Sequence, residues 1–327
     1  MFVDALRSIL QDHCEPAQVR AIEAGASARN LAGAIHEAGF LELMAPEAAG
    51  GAGGSWNDLF ELTLLFGEWA VPIPLAQTLA SRRMVATGMT WPEGLTTFAP
   101  ALRLADDYWQ ADSVPAATLS SHVMAEDAEG LLLLPVDSAS QTSSGIHGSS
   151  LASLRWPRRA GLRCKRHEAV PDLQAVAALL HAGLLAGAMK RTFDLTMRYA
   201  NERVQFGKPI GRFQAIQHQL AVMSQQVAAA RMAAEGAFSR QDQGVSAMAC
   251  AVAKARTSEA AQQVAAIAHA IHGAIGVTEE YDLQLYTRRL HEWRWAHGSE
   301  IWWNRQLGRH VLAARPQCLA DVARLAL

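Results

Sequence analysis

Residues 198–214 read RYANERVQFGKPIGRFQ, and they stand between two long segments of helical periodicity. The stretch offers a guanidinium at Arg203, an aromatic ring at Phe206, a residue without a side chain at Gly207 and an amide at Gln214. Arginine beside backbone that a ligand can approach closely is a receiver for a pyrophosphate, because the planar fork matches phosphate oxygens. The same residue types also describe a charged helix end with Phe206 tucked into the core. On spacing alone both readings stand.

Working outward, the segment downstream carries Phe213, Ile216, Leu220, Met223 and Val227, at steps of three, four, three and four. That is one apolar seam on one helix face, running to about Gly244. Upstream, Asp172 is placed to cap a helix that runs to about Asn201. An alanine-rich helix over about Ser246 to Gly273 follows. Two shorter helices are read over Leu283 to Arg294 and Glu300 to Ala313, the second capped by Ser299. Long antiparallel helices with short connections predict a four-helix-bundle domain over 169–327. Residues 1–88 are also helical, with Leu59, Leu62, Leu65 and Phe66 at helical spacings behind a breaker cluster of Gly50, Gly51, Gly53 and Gly54. Pro72 and Pro74 are expected to end that helix. Over 89–168 the texture changes to short apolar runs such as Leu131 to Leu134 between turn residues, which predicts a small β domain. The order is helical, β, helical bundle.

Composition narrows the class. The chain has 327 residues, 50% of them hydrophobic and 18% charged, and a net charge of −2. That balance lacks the basic surface a nucleic-acid binder uses. Cations are 25 arginines and four lysines. Cys14, Cys164, Cys250 and Cys318 are scattered without a C-x-x-C, so they read as reduced thiols of a cytoplasmic protein. The residues from Met1 to Glu15 lack the apolar run of a signal peptide. The most apolar stretch, Leu173 to Met189, is interrupted by Gln174 and His181 and reads as a buried helix with no role in a membrane.

The motif R-x-x-F-G-K-x-I-x-x-F-Q, starting at Arg203, resembles the C-terminal signature of the acyl-CoA dehydrogenase family. The resemblance continues through His272-Gly273-Ala274-Ile275-Gly276-Val277-Thr278-Glu279-Glu280-Tyr281, similar to the family's glycine turn and "E-Y" pair. It continues through Tyr286-Thr287-Arg288-Arg289, similar to "lyRD" with Arg289 in place of Asp. Upstream, Pro46-Glu47-Ala48-Ala49-Gly50-Gly51-Ala52-Gly53 resembles "P-E-x-x-G-G-x-G". The fold it implies is mainly α with a small β domain: an N-terminal helical domain, a reduced middle β domain and a C-terminal four-helix bundle. It also implies FAD, shared across a subunit interface and contacted here by Arg203, Gln205, Phe206, Gln214 and the backbone near Gly273. The family's glutamine before the glycine turn falls on Ala270, and its second glycine on Ala274.

The resemblance also shows what is replaced. The family's base is the Glu of "Y-E-G-T-S-E-I"; the matching segment is Trp295-Ala296-His297-Gly298-Ser299-Glu300-Ile301, one residue short. The base position falls on Ala296 or His297, and the alternative position, on the first bundle helix, falls on Ala177. His297 is the first catalytic candidate, as an imidazole base, against a reading as a helix-entry histidine near the bundle surface. Glu300 is the weaker choice. The family's "T-E-P" element and Trp-containing strand of the middle domain are not found; Trp91, Trp109 and Trp156 read as core or surface aromatics. The implied role is that of the non-catalytic subunit of a heteromeric acyl-CoA dehydrogenase, an α2β2 heterotetramer. Its catalytic partner subunit supplies the Glu, and the substrate is a bulky acyl-CoA such as a steroid side-chain thioester. Trp69 to Pro74 resembles the "P-x-P" run of that subgroup. Two rival readings are a homo-oligomeric flavoenzyme using His297 and a flavin-free scaffold.

Smaller features carry expectations of their own. Trp293, Trp295, Trp302 and Trp303 form either a core cluster or an interface. His269 and His272 share a helix face without a carboxylate or thiol nearby, so no metal site is expected. Gly183 and Gly187 mark close helix packing.

Overall fold

The computed structural model describes residues 2–85, 89–146, 148–168, 170–239, 246–314, 318 and 320–322. The domain boundary at residue 88 and the helix end near Gly244 lie outside the described residues. The chain forms two compact units. The first draws mainly on Met1–Leu62 and Val71–Ala177, the second on Thr63–Ala70, Ala178–Arg240 and Ser246–Leu327.

Five helices open the chain: α1 (Phe2–His13), α2 (Pro16–Glu23), α3 (Arg29–Glu37), α4 (Trp56–Glu68) and α5 (Leu75–Met84). Their starts are encoded locally. Pro16 stands in the first turn of α2, and the Gln18 side chain accepts from the Glu15 amide at 2.6 Å. At α4 the Ser55 hydroxyl accepts from the Asp58 amide while the Asp58 carboxylate accepts from the Ser55 amide at 2.8 Å, a reciprocal cap. Pro72 and Pro74 do not end α4. It stops at Glu68, and Ala70 turns the chain in the left-handed region at φ 49°. The prolines follow a break already made.

Eight strands follow: β1 (Thr96–Ala99), β2 (Arg103–Ala105), β3 (Tyr108–Val114), β4 (His122–Asp127), β5 (Gly130–Pro135), β6 (Ser140–Ser143), β7 (Ala152–Pro157) and β8 (Leu162–Cys164). They form two four-stranded sheets, ordered β1-β4-β5-β8 and β2-β3-β7-β6. Alternate residues of both sheets meet in one core: Val123 and Ala125, Leu132 and Leu134, Trp109 and Ala111, Leu154 and Trp156. This period of two places one face of each sheet inward. The indoles are satisfied, Trp109 donating to the Arg158 carbonyl at 3.0 Å and Trp156 to the Pro135 carbonyl at 2.9 Å. Both are core residues.

The remaining helices are α6 (Leu173–Glu202), α7 (Gln214–Ser239), α8 (Ala247–His272), α9 (Leu283–Trp295) and α10 (Glu300–Ala314). A two-strand hairpin, β9 (Val204–Gln205) with β10 (Lys208–Pro209), joins α6 to α7. Asp172 accepts from the Ala175 amide at 2.7 Å and Ser299 from the Trp302 amide at 3.4 Å, so both expected caps form, and Ser246 adds a third by accepting from the Ala249 amide at 3.2 Å. Helix α8 packs against α7, α9 and α10, and its buried face is mostly alanine. Among the described residues α6 is the one helix apolar and long enough to cross a membrane, and 89% of its most apolar window is buried in the protein. Its Gly183 and Gly187 touch residues 63–64: a Cβ on Gly187 would lie 2.0 Å from the Leu64 carbonyl oxygen, and one on Gly183 2.2 Å from the Thr63 hydroxyl. Gly67 meets the Leu184 carbonyl the same way.

Candidate functional site

Two places in the second unit gather the residues that the sequence singles out. The first lies at one end of the helices. Ala200, Leu220 and Ile271 form a small core there, joined by Met197, Tyr199, Ile210 and Ile216. Tyr199 of α6 stacks on His272 of α8 with ring centroids 4.4 Å apart, and Tyr281 closes on both rings. This stack brings the β9–β10 hairpin and the turn after α8 to the same end, although some 70 residues separate them in the sequence. Helix α8 ends at Gly273, whose φ is 64°.

The hairpin turn is two residues, Phe206 and Gly207, with φ of 50° and 77°. Positive φ at both positions is the hairpin turn whose twist suits the flanking strands, and it favours Asn-Gly or Gly-Gly. Glycine at 207 meets that requirement. Phenylalanine at 206 does not, and it is 91% exposed. The reading that tucks Phe206 into the core is therefore corrected: the left-handed turn aims the ring outward, with the Phe213 ring edge to face beside it at 6.1 Å. Strain plus exposure of a large apolar ring is unfavourable twice over, which points to a surface that something else covers. Arg203, Gln205 and Gln214 are also exposed. Among the described residues no carboxylate pairs with the Arg203 guanidinium. A Cβ at Gly207 or Gly273 would meet nothing within 4 Å, so backbone at both is open to close approach.

The second place is the loop between α9 and α10, which carries His297. His297 is half-buried with its Nε2 shielded from solvent, and His181 of α6 meets its ring edge to face at 4.7 Å. His181 is itself buried. Desolvation, then the neighbouring His181 and Lys254, hold the His297 imidazole well below the usual histidine range. Such a ring is neutral at pH 7 and holds a proton poorly, a disadvantage for a general base. Glu300 is committed elsewhere: its carboxylate pairs with Arg294, and both side chains are largely buried. Ala177 is fully buried.

Beneath this loop lies Lys254, a residue that the sequence does not advertise. It is 0% exposed. Its ammonium donates to the Ser258 hydroxyl, the Arg294 carbonyl and the Gly298 carbonyl, each at 2.9 Å. Burial pushes it down to about 7, with Glu300 opposing and Arg294 adding to the shift. The available signal is a single lysine among the alanines of α8 with Ser258 one turn on. His181 is the other residue missed. The apolar helix that holds it explains its burial but does not say which ring it meets.

The tryptophans divide. Trp293 and Trp303 are buried, whereas Trp295 and Trp302 are exposed. His269 and His272 have no third ligand, and no cluster of three or more His, Cys, Asp or Glu suited to a metal occurs among the described residues. The four cysteines are free thiols.

Comparison with known proteins places this arrangement. Residues 175–312 match the family profile "Acyl-CoA dehydrogenase, C-terminal domain", and residues 1–90 match "Acyl-CoA dehydrogenase, N-terminal domain". The acyl-CoA dehydrogenase IpdE2 of Mycolicibacterium smegmatis is 31% identical over 88% of this chain and 90% of its own length. Its namesake from Mycobacterium tuberculosis is 30% identical over 89% of this chain and 90% of its own. Among solved structures, the ChsE4-ChsE5 complex from Mycobacterium tuberculosis aligns with a TM-score of 0.79 at 20% identity, covering 96% of both chains. A variant of the Tcur3481-Tcur3483 steroid ACAD aligns with a TM-score of 0.78 at 24% identity, over 96% of this chain and 97% of that one. The helical ends and the β sandwich between them are thus the fold of that group, and at 31% identity over nearly the whole length the chain belongs to the acyl-CoA dehydrogenase family.

Proposed function

We propose that this chain is the FAD-associated, base-lacking subunit of a heteromeric acyl-CoA dehydrogenase. The reaction is α,β-dehydrogenation of a bulky acyl-CoA, most simply a steroid side-chain thioester, and the catalytic Glu comes from the partner subunit. One observation carries the proposal. At one end of the helices Phe206 is held out of the core in a strained turn, beside an uncommitted Arg203, while both positions of the family's base hold no carboxylate.

The exposed residues fit the flavin dinucleotide. Arg203 supplies charge for a diphosphate, Phe206 a face for an aromatic base, and Gln205 and Gln214 amides. The backbone at Gly273 is open to approach. When bound, FAD supplies the acceptor for the β-hydride. This chain's part is to bind the dinucleotide, orient it and keep water from it. Support for two kinds of subunit comes from the neighbours: the ChsE4-ChsE5 structure is a complex, and the Tcur3481-Tcur3483 protein is a steroid ACAD. The division into 1–88, 89–168 and 169–327 belongs to the same proposal.

The test is expression alone and together with a longer homologue that retains the family's "Y-E-G" element. The pair should form a yellow complex that acyl-CoA bleaches, and the lone chain should be colourless or inert. Bleaching by the lone chain would overturn the proposal, and a complex without flavin would overturn the role given to Arg203.

A further inference from the structure

The chain uses arginine for 25 of its 29 cations, yet the one fully buried cation of α8 is a lysine. That choice has a physical content. A lysine head is a compact point with three donors, and a guanidinium is a planar fork. Here the three acceptors surround a point. Ser258 stands one turn along α8, the Arg294 carbonyl lies near the end of α9, and the Gly298 carbonyl lies just before α10. Two of the three bonds therefore grip the two ends of the loop 295–299.

The same loop is held from its other side. The Trp303 indole donates to the His297 carbonyl at 3.1 Å. His297 and Gly298 both have positive φ, 55° and 100°. A Cβ on Gly298 would lie 2.9 Å from atoms of both Trp302 and Trp303, so glycine is required there by space as well as by φ. A histidine in the left-handed region is a conformation that its surroundings must hold in place.

We propose that Lys254 is the positioning residue of the α9–α10 loop: its head group sets the conformation of residues 295–299, and with it where His297 and His181 meet. The charged and titratable groups around it are Glu300 of α10, Arg294 of α9, His297 of the loop and His181 of α6. The Arg294 guanidinium and the Lys254 head group thus face one carboxylate. A carboxylate base in the loop, as the family's element carries, would balance them. With Ala296 and His297 there, Lys254 is the group that adjusts. The consequence for catalysis rests on the proposed function: the loop then serves as a fixed wall of a site whose base is the partner's.

The experiment is amide hydrogen exchange of the full chain as wild type and as Lys254→Met, read on peptides from 295–299 and from α7. The variant should exchange at least tenfold faster in the loop with α7 unchanged. The ratio of loop to α7 protection should change between pH 6 and 8 in the wild type, since an amine has two donors where an ammonium has three, and should stay flat in the variant. Unchanged loop exchange, or equal acceleration of both peptides, would overturn the proposal. Should Lys254→Met fail to fold, Ser258→Ala removes one of the three acceptors, and the expected result is about a threefold acceleration confined to the loop. In the complex with the catalytic partner, Lys254→Met should raise KM for acyl-CoA and leave the basic limb of the pH profile in place. Loss of that limb would move the base onto this chain, which would sink the proposed function and leave the tether standing.

Discussion

The hairpin turn at 206–207 and the loop at 295–299 are two connections of the second unit that carry family motifs, and they are built in opposite ways. Both hold a non-glycine residue at positive φ next to a glycine: Phe206-Gly207 in one and His297-Gly298 in the other. In the loop the strain is enclosed, with a lysine, a serine, an indole and a second histidine around it. In the hairpin nothing comparable surrounds it, and the ring stands out in solvent. Strain that the fold itself contains is structural. Strain left uncovered needs a ligand or a partner to account for it. On that contrast the hairpin is the binding element and the loop is a closed wall.

Lys254 offers the largest break of this comparison. Its folded-state value of about 7 lies below the ordinary lysine value of 10.5. Between those limits the unfolded chain binds the extra proton, so stability rises with pH through the window and is lost as pH falls toward 7. Relative to Lys254→Met, the wild type should gain about 2–3 kcal/mol between pH 7 and pH 9. Chemical denaturation of both proteins at each pH measures it. A parallel pH dependence would mean that the wall is not built around a titrating lysine.

Arg203→Ala tests the other side. Losing a charge-assisted contact to a diphosphate costs about 1.5 kcal/mol, so flavin affinity of the complex should fall roughly tenfold. Unchanged flavin occupancy in a titration would remove the hairpin from the cofactor site. Phe206→Gly sharpens the contrast through its sign. Relief of the left-handed strain should stabilise the isolated chain by about 1 kcal/mol, while flavin binding by the complex weakens. Destabilisation of the isolated chain would make Phe206 a packing residue after all. His297→Ala carries the smallest expected effect, a change in kcat/KM of the complex within about threefold, because a neutral, shielded ring is a poor base. A loss of several orders of magnitude in steady-state turnover would return the base to this chain.

Much of the fold was legible. Caps at Asp172 and Ser299, the seam from Phe213 to Val227 and the alternation within the strands each state a local preference that the tertiary structure keeps. The expected stop at Pro72 and Pro74 was not kept, because Ala70 adopts a left-handed turn that propensity disfavours. The site was legible only as motifs. That Phe206 faces solvent follows from the φ of a two-residue turn, and an apolar residue type argues the reverse. Lys254 leaves no periodic mark in a run of alanines. Its partners are two carbonyls, which have no letter in a sequence. The shielding of His297 depends on His181, set in a helix that reads simply as apolar. Trp293 and Trp295 stand two apart on one helix, so they point in different directions and end up buried and exposed.

The contacts of Gly67, Gly183 and Gly187 bear on how a mutational scan of this protein would read. At each, a single methyl group would land 2.0–2.2 Å from an oxygen of the facing segment, two of them backbone carbonyls that cannot rotate away. In a saturation library these three codons should be as depleted as any ligand-binding position. Arg203 and Phe206, exposed and in contact with little of their own chain, should tolerate nearly every substitution whenever the selection reports abundance alone. Intolerance and function would then fall on different residues, and only a scan read out on flavin binding would exchange their ranks.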